Sequence, residues 1–387
     1  MLSYVELKGN AYERGFQQGE QLRKQIHDAI DFVFNSEFFK EMVPPNVPPS
    51  IVKKSLESMA KKHIEKPIRE NLPNQWQKLQ GIVKGADISE SMGLLGQFFE
   101  IVNGIPKFVY DKQPTELMGC SFIGATAPAT INGETIIGRN YDFPSVLEHI
   151  QLLRKEFPDT GYRNISLTQL PLVGNHVALN EKGLAVALNY GRAWKKMDFN
   201  PHGVPSTIIV QELIEKCADV DEAVKFITNT NYRANGAFYC LGDESGNLAV
   251  VETTHSRFSV REPKNGVLAH TNVYIGETIK DANLPEEIRF KMSSLDISPI
   301  ESPKRRYKRI YSLLEENQGK ITEEIIKTIL RDHDPSNPNE KGPNDCSICT
   351  HGLSSGTLAS LIIKPKTREF HVIATHPCSG EYTKYTL

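Results

Sequence analysis

Cys120 follows Gly119 directly and precedes Ser121, where a helical texture gives way to a strand-rich one. An unperturbed thiol ionises near about 8.5, so only a few per cent is thiolate at neutral pH. To act as a nucleophile it needs a neighbouring base or cation. An ordinary cysteine enzyme borrows a histidine. A chain cut in front of Cys120 finds the base on the same residue: a free α-amine ionising at about 7.7–8.0, close to working pH. Gly119 suits such a cut, because glycine accepts backbone angles that expose a carbonyl to attack. By itself the Gly-Cys pair also fits an inert buried strand cysteine.

The run Gly138-Arg139-Asn140-Tyr141-Asp142-Phe143-Pro144 supplies a cation and a carboxylate. The segments Cys120–Thr126 and Glu134–Asn140 read as two strands of a hairpin around Asn132-Gly133. Antiparallel pairing returns the end of the second strand to the start of the first, so Arg139 and Asp142 come back towards Cys120. A guanidinium there favours thiolate; a carboxylate orients and balances an amine. Residues three apart face opposite sides of a regular strand. Both reach one site only if the chain twists or leaves the sheet near Asn140, and Pro144 suggests an early exit. The alternative is a surface ion pair of little energetic weight.

Cys346-Ser347-Ile348-Cys349 is a CxxC, with His351, His376 and Cys378 close in sequence. It has neither a thioredoxin pattern nor a second CxxC pair beside it, so it reads as buried thiols rather than a redox or metal centre, and no metal is expected. There is no GxGxxG after a strand and no P-loop, so no cofactor is expected.

The elements that would position these residues fall in a simple order. The first 119 residues read as helical: one stretch from Ala11 to about Phe39, with Ile26, Ile30, Val33 and Phe34 on one side, then Ile51–Glu65, Pro67–Gly85 and Ser89–Val102. After Cys120 the strand candidates are Asn164–Gln169, His176–Leu179, Leu184–Asn189, Ala237–Leu241, Leu248–Thr253, Phe258–Val260 and Val267–Ala269. Helices are expected around Ile209–Cys217 and after Asp219, whose Glu222 completes a capping-box pattern. A later helical pair covers Arg305–Glu315 and Glu323–Leu330. A polar loop is expected over Ser336–Asn344. Gly356–Lys364 and Phe370–Thr375 read as a closing hairpin. Helices packed on antiparallel sheets make an α+β layered domain rather than alternating βαβ units.

The chain has 387 residues, with 45 Lys and Arg against 47 Asp and Glu. So even a balance gives no electrostatic reason to seek nucleic acid or an anionic membrane. No apolar run reaches the roughly 18 residues of a membrane span, and the N-terminus lacks the pattern of a secretory signal, so the expected compartment is the cytoplasm. Six cysteines over this length do not form a disulfide framework.

The sequence resembles the acyl-CoA:6-aminopenicillanic acid acyltransferase (isopenicillin-N N-acyltransferase) family, and more distantly the choloylglycine hydrolases and penicillin V acylases. The matching residues are the Gly119-Cys120 junction, Arg139 to Phe143, Asn180 to Tyr190, His270-Thr271-Asn272, Ser347-Ile348-Cys349, and the N-terminal Tyr12-Glu13-Arg14-Gly15 with Gly19. They span nearly the whole chain in family order. The resemblance implies a four-layer αββα sandwich of the N-terminal-nucleophile (Ntn) hydrolase superfamily with an N-terminal helical segment. It implies self-cleavage between Gly119 and Cys120, with 1–119 retained as a small subunit and 120–387 as the catalytic large subunit. Cys120 would carry the acyl group as a thioester; Arg139 and Asp142 would complete the catalytic set, and Asn272 would donate to the oxyanion. Asn189 and Tyr190 would line the substrate pocket, as would Ser347. Relatives often carry an arginine after the Ser-Ile-Cys run; Thr350-His351 stands here instead, so His351 is a candidate substitute and a β-lactam substrate is less expected. His270 is expected to be structural, since the α-amine makes a histidine base unnecessary. The partner expected is a small N-acyl compound, with acyl-CoA as an alternative donor, and the reaction is amide hydrolysis or acyl transfer. Two other readings stand beside it: a non-catalytic small-molecule binding protein that keeps the fold, and a papain-type protease dependent on a histidine.

Overall fold

The computed structural model describes residues 2–104, 119–287, 298–333, 343–352 and 355–387. The N-terminal part is not wholly helical, as expected, but opens with strand β1 (Ser3–Gly9). Val5 and Leu7 are buried between exposed Tyr4, Glu6 and Lys8, a period of two that only a strand produces. Helices α1 (Ala11–Gln21), α2 (Arg23–Asn35), α3 (Glu37–Met42), α4 (Pro49–Asn71), α5 (Pro73–Ala86) and α6 (Glu90–Gly104) follow. Asn10 and Glu13 form a reciprocal capping box that starts α1. The single stretch expected up to Phe39 is three helices. The expected break at Pro67 is absent: α4 runs through it, held by the buried stripe Ala60, Ile64 and Ile68 on either side of the proline.

Helices α1 and α5 cross at almost backbone contact. A Cβ on Gly15 would lie 2.0 Å from the Lys78 carbonyl oxygen, and one on Gly81 2.2 Å from that of Tyr12. This approach buries Arg14 and Lys78 with residues of the sheet domain. Arg14 Nη1 donates to Glu156 Oε2 at 2.9 Å and Glu215 Oε1 at 2.7 Å, and Lys78 Nζ to Glu156 Oε1 at 2.6 Å. Arg154 lies 2.8 Å from the same Glu156 oxygen. Burial alone would raise the Glu156 carboxyl, but the three surrounding cations outweigh it and hold the group low.

The strands after the helical segment are β2 (Gly119–Ala125), β3 (Ile136–Pro144), β4 (Gln151–Pro158), β5 (Asn164–Gln169), β6 (Val177–Asn180), β7 (Ala185–Tyr190), β8 (Ala237–Gly242), β9 (Leu248–Thr253), β10 (Phe258–Arg261), β11 (Val267–His270), β12 (Ser355–Lys364), β13 (Glu369–Ile373) and β14 (Thr383–Thr386). Among the described residues they form an eight-stranded sheet, β1-β4-β5-β6-β7-β8-β9-β10, and a six-stranded sheet, β11-β2-β3-β12-β13-β14. Every pairing is antiparallel except β1 with β4.

Helices α7 (Ser206–Lys216) and α8 (Val220–Asn229) pack on the larger sheet. Helices α9 (Glu301–Glu316) and α10 (Glu323–Leu330) pack on the smaller one. The two sheets face each other through β2 against β7 and β9 against β11. The order of layers is therefore αββα. Cys120, Phe122 and Tyr141 lie in the core between the sheets, while Ile123 and Ala125 turn outwards to Ile310 and Ile326 under α9 and α10.

Strands β1, β4 and β14 are additions to the expected set. The β2–β3 pairing is as expected, but its connection is a longer excursion through Thr126–Thr135 rather than a tight turn, and Thr130 bridges to Ile321. β3 also continues through Pro144, buried along its whole length, instead of leaving the sheet near Asn140. Most of the polar loop expected over Ser336–Asn344 lies outside the described residues, as does the stretch 105–118 in front of Gly119.

Candidate active site

Cys120 is the second residue of β2, and its thiol is fully buried between the sheets. It pairs across from Tyr141, while Arg139 pairs with Phe122. Cys120 and Arg139 thus share one face as diagonal neighbours. Arg139 Nη2 donates to Cys120 Sγ at 3.1 Å. The guanidinium is anchored by the carbonyls of His176, at 2.5 Å, and Leu188. These anchors are neutral, so the cation's charge is left to act on the thiol. Burial, foremost, pushes the Cys120 thiol up; Arg139 opposes the rise and Asp142 adds to it.

Asp142 pairs across from Gly119 and points to the opposite face, as three-residue spacing in a regular strand requires. The two side chains therefore serve adjacent residues from opposite faces: Arg139 meets the Cys120 thiol and Asp142 lies against Gly119. Asp142 Oδ1 accepts from Thr357 Oγ1 at 2.6 Å and its Oδ2 from Thr350 Oγ1 at 3.3 Å. An irregularity in β12 between Thr357 and Ala359 leaves Thr357 opposite Asp142. Burial, first, raises the Asp142 carboxyl; Arg306 and the two threonines counter it. A Cβ on Gly119 would meet Asp142 Oδ2 at 2.9 Å and Arg306 Nη2 at 3.2 Å. A larger residue at 119 would have to displace one of these two side chains.

Asn272, just beyond β11, reaches the same junction. Its Oδ1 accepts the Cys120 backbone N–H at 2.7 Å, and its Nδ2 donates to the Tyr190 carbonyl at 2.9 Å. Arg306 Nη2 donates to the same Oδ1 at 3.1 Å. Two donors on one side and a carbonyl on the other define which way the amide points. In this arrangement the Asn272 N–H is aimed at Tyr190 and the oxygen at Cys120.

Arg306 is the residue at this junction that sequence reasoning missed. Its Nη1 also donates to the Cys120 carbonyl at 2.7 Å and Ser121 Oγ at 2.9 Å, and it is 2% exposed. A signal was there. Ser302, Arg306, Ile310 and Leu314 recur every four residues on the buried stripe of α9, and an arginine in such a stripe needs buried acceptors.

The other expected residues divide. Asn189 is buried and donates to the His270 carbonyl at 3.3 Å, beside the site rather than on the thiol. Tyr190 lines the cleft outside Gly119, about 790 Å³ in volume, together with Asp142, Arg192, Asn272 and Arg306. It also borders an apolar cavity of about 860 Å³ lined by Val33, Phe34, Leu95, Phe143 and Leu147. Ser347 holds a turn, donating to the His333 carbonyl at 3.1 Å and accepting from the Asn344 N–H. His351 lies 3.3 Å from Cys349 Sγ in a separate cluster. Neither lines the cleft; from that segment Asp345, Thr350 and Ser355 do. His270 faces Glu252 at 3.2 Å instead of the thiol.

The family model described as acyl-coenzyme A:6-aminopenicillanic acid acyl-transferase matches residues 130–377, and the chain belongs to that family. A curated relative, an uncharacterized protein of Archaeoglobus fulgidus, is 24% identical over 217 residues, which are 52% of this chain and 36% of that protein. The chain thus spans about a third of that relative's length. Among solved structures, an N-acylethanolamine-hydrolyzing acid amidase ortholog of Caenorhabditis elegans is similar at 16% identity, with 64% of this chain and 93% of that one covered and a TM-score of 0.44. A conjugated bile acid hydrolase variant of Clostridium perfringens shares 14% identity, with 69% and 97% covered and a TM-score of 0.41. A penicillin V acylase of Agrobacterium tumefaciens shares 13% identity, with 66% and 82% covered and a TM-score of 0.40. No helix among the described residues is long and apolar enough to cross a membrane.

Proposed function

We propose that the chain is a self-processing cysteine amidase or acyltransferase that acts on a small N-acyl compound. The observation that carries the reading is the double hold on Cys120: Asn272 takes its backbone N–H, and Arg139 takes its thiol.

In processing, Cys120 Sγ attacks the Gly119 carbonyl carbon, the peptide C–N bond breaks, and the thiol proton passes to the departing nitrogen. The thioester is then hydrolysed by water, giving the Gly119 carboxylate, the free thiol and the Cys120 α-amine. Residues 1–119 remain as a small subunit on the 120–387 large subunit; the buried Arg14, Lys78, Arg154 and Glu156 network supports their staying together.

In turnover, the α-amine takes the thiol proton as Sγ attacks the substrate carbonyl, and returns it to the leaving amine. Water releases the acyl group in hydrolysis; a second amine takes it in transfer, with acyl-CoA as an alternative donor. The Asn272 Nδ2 hydrogen that is not given to the Tyr190 carbonyl donates to the developing oxyanion. Arg306 is a positioning residue that keeps the Cys120 peptide and the Asn272 amide in register. The apolar cavity beside Tyr190 suits the acyl chain and the polar cleft suits the amine half.

Intact mass measurement tests the reading. Wild-type protein should give two fragments divided between Gly119 and Cys120, and Cys120→Ala a single inactive chain. A single wild-type chain that still binds members of a panel of N-acyl amino acids, penicillins and acyl-homoserine lactones without turnover would replace the enzyme with a binding protein.

A further inference from the structure

Away from the thiol, three distant segments bring four metal-ligating side chains together. His333 follows α10, Cys349 and His351 flank Thr350, and Cys378 lies near the C-terminus. One ligand atom from each falls within 4.8 Å of all the others. His351 Nε2 stands 3.3 Å from Cys349 Sγ and 3.4 Å from Cys378 Sγ. With metal–nitrogen bonds of about 2.0–2.1 Å and metal–sulfur bonds of about 2.3 Å, the edges of a tetrahedral zinc site run to roughly 3.4–3.8 Å. The two spacings are those of such a site, slightly contracted.

The surroundings form a built frame. The Cys349 N–H donates to the Asp332 carbonyl at 3.0 Å, which ties Cys349 to the residue before His333. Ser347 Oγ donates to the His333 carbonyl. Arg331 grips the Pro377 carbonyl at 2.8 Å and that of Gly380 at 3.3 Å, fixing the Cys378 turn. His376 stacks on His351 with ring centroids 4.0 Å apart. His333 Nε2 is buried and has no hydrogen-bond partner among the described residues. A buried ring nitrogen without a partner costs free energy that a metal bond would recover. Cys346, the first cysteine of the CxxC, is not one of the four.

We propose that His333, Cys349, His351 and Cys378 bind one zinc(II) ion in a closed, structural Cys2His2 site. Two thiols release their protons on binding, and the two thiolates neutralise the dication. Four protein ligands leave no open position for substrate, so the ion braces rather than reacts. What it braces is specific. Thr350 sits between two ligands and donates to Asp142, which faces Gly119. Zinc would thereby hold the threonine side of the processing junction. The competing use of the same atoms is a disulfide between Cys349 and Cys378.

The test uses the full chain without a histidine tag, purified with a non-thiol reductant and dialysed with zinc(II). Elemental analysis should give one zinc per chain. Cobalt(II) in its place should show the intense visible bands and thiolate charge transfer of a tetrahedral S2N2 site. Cys378→Ser changes an exposed residue and should leave the fold intact while weakening zinc binding at least tenfold; His333→Ala should do the same. Cys120→Ala should keep the full zinc content, which separates this site from the nucleophile. The proposal is overturned by wild-type zinc content no higher than that of Cys378→Ser, by cobalt spectra of octahedral form, or by a Cys349–Cys378 disulfide in protein that takes up no zinc after reduction.

Discussion

The Asn272 side-chain oxygen accepts the backbone N–H of Cys120 at 2.7 Å, although the two residues are 152 positions apart. The same oxygen accepts from Arg306. One amide therefore links the residue proposed as nucleophile to a buried cation and, through its N–H, to the Tyr190 carbonyl.

Replacing Asn272 with Ala should slow turnover by about 10²-fold or more, the usual loss when an oxyanion donor is removed. Steady-state kinetics on already cleaved protein is the measurement. A near-normal kcat would assign Asn272 to holding the backbone alone.

Arg306→Met should slow the appearance of the two fragments by about tenfold or more, since charge-assisted hydrogen bonds to buried acceptors contribute about 1.5–3 kcal/mol each. Arg306→Lys should restore part of the rate by keeping the charge without the forked geometry. A processing time course by mass spectrometry, read beside the melting temperature, distinguishes this from general loss of fold. Equal rates for Met, Lys and wild type would remove Arg306 from the processing site.

Arg14→Met removes a cation from the buried network under the helical segment and leaves Glu215 and part of Glu156 without their partner. Breaking a buried pair on one side costs about 3–5 kcal/mol. Urea unfolding should show a loss of that order, and in cleaved protein the 1–119 fragment should separate more readily on gel filtration. A loss under about 1 kcal/mol would mean the network relaxes around the gap.

His176 predicts how stability depends on pH. Burial, foremost, and the nearby Arg139 charge push its imidazole down to about 3. In the unfolded chain it titrates near about 6.5. Between those values the unfolded state binds a proton that the folded state excludes. Its contribution is therefore full above about pH 6.5 and declines as pH falls towards 3, by an order of 1.4 kcal/mol per pH unit. Denaturant midpoints at pH 7.5 and 5 should show the fall, and His176→Asn should flatten it. An unchanged slope in that variant would shift the effect to other groups such as His270.

Much of the architecture was readable along the chain. Strand and helix periodicities give α7 to α10 and most strands because each buries a face whose repeat is local. The β2–β3 pairing, and with it the approach of Arg139 and Asp142 to Cys120, followed from antiparallel geometry alone. Strand β1 was obscured by its small size beside long helices, although Val5 and Leu7 alternate with charges. β4 was obscured because Arg154 and Glu156 look solvent-facing until their partners on α1 and α5 are seen.

Residue types and short-range spacing thus specify the layers, the Gly119-Cys120 junction and the cation beside it, since those depend on neighbours along one strand or one hairpin. The convergence of Asn272 and Arg306 on Cys120, and of His333 and Cys378 on the Cys349–His351 segment, is set only when helices and sheets pack. Those partners are joined by no periodic pattern, and a residue's distance to a far segment depends on the summed geometry of every element between them.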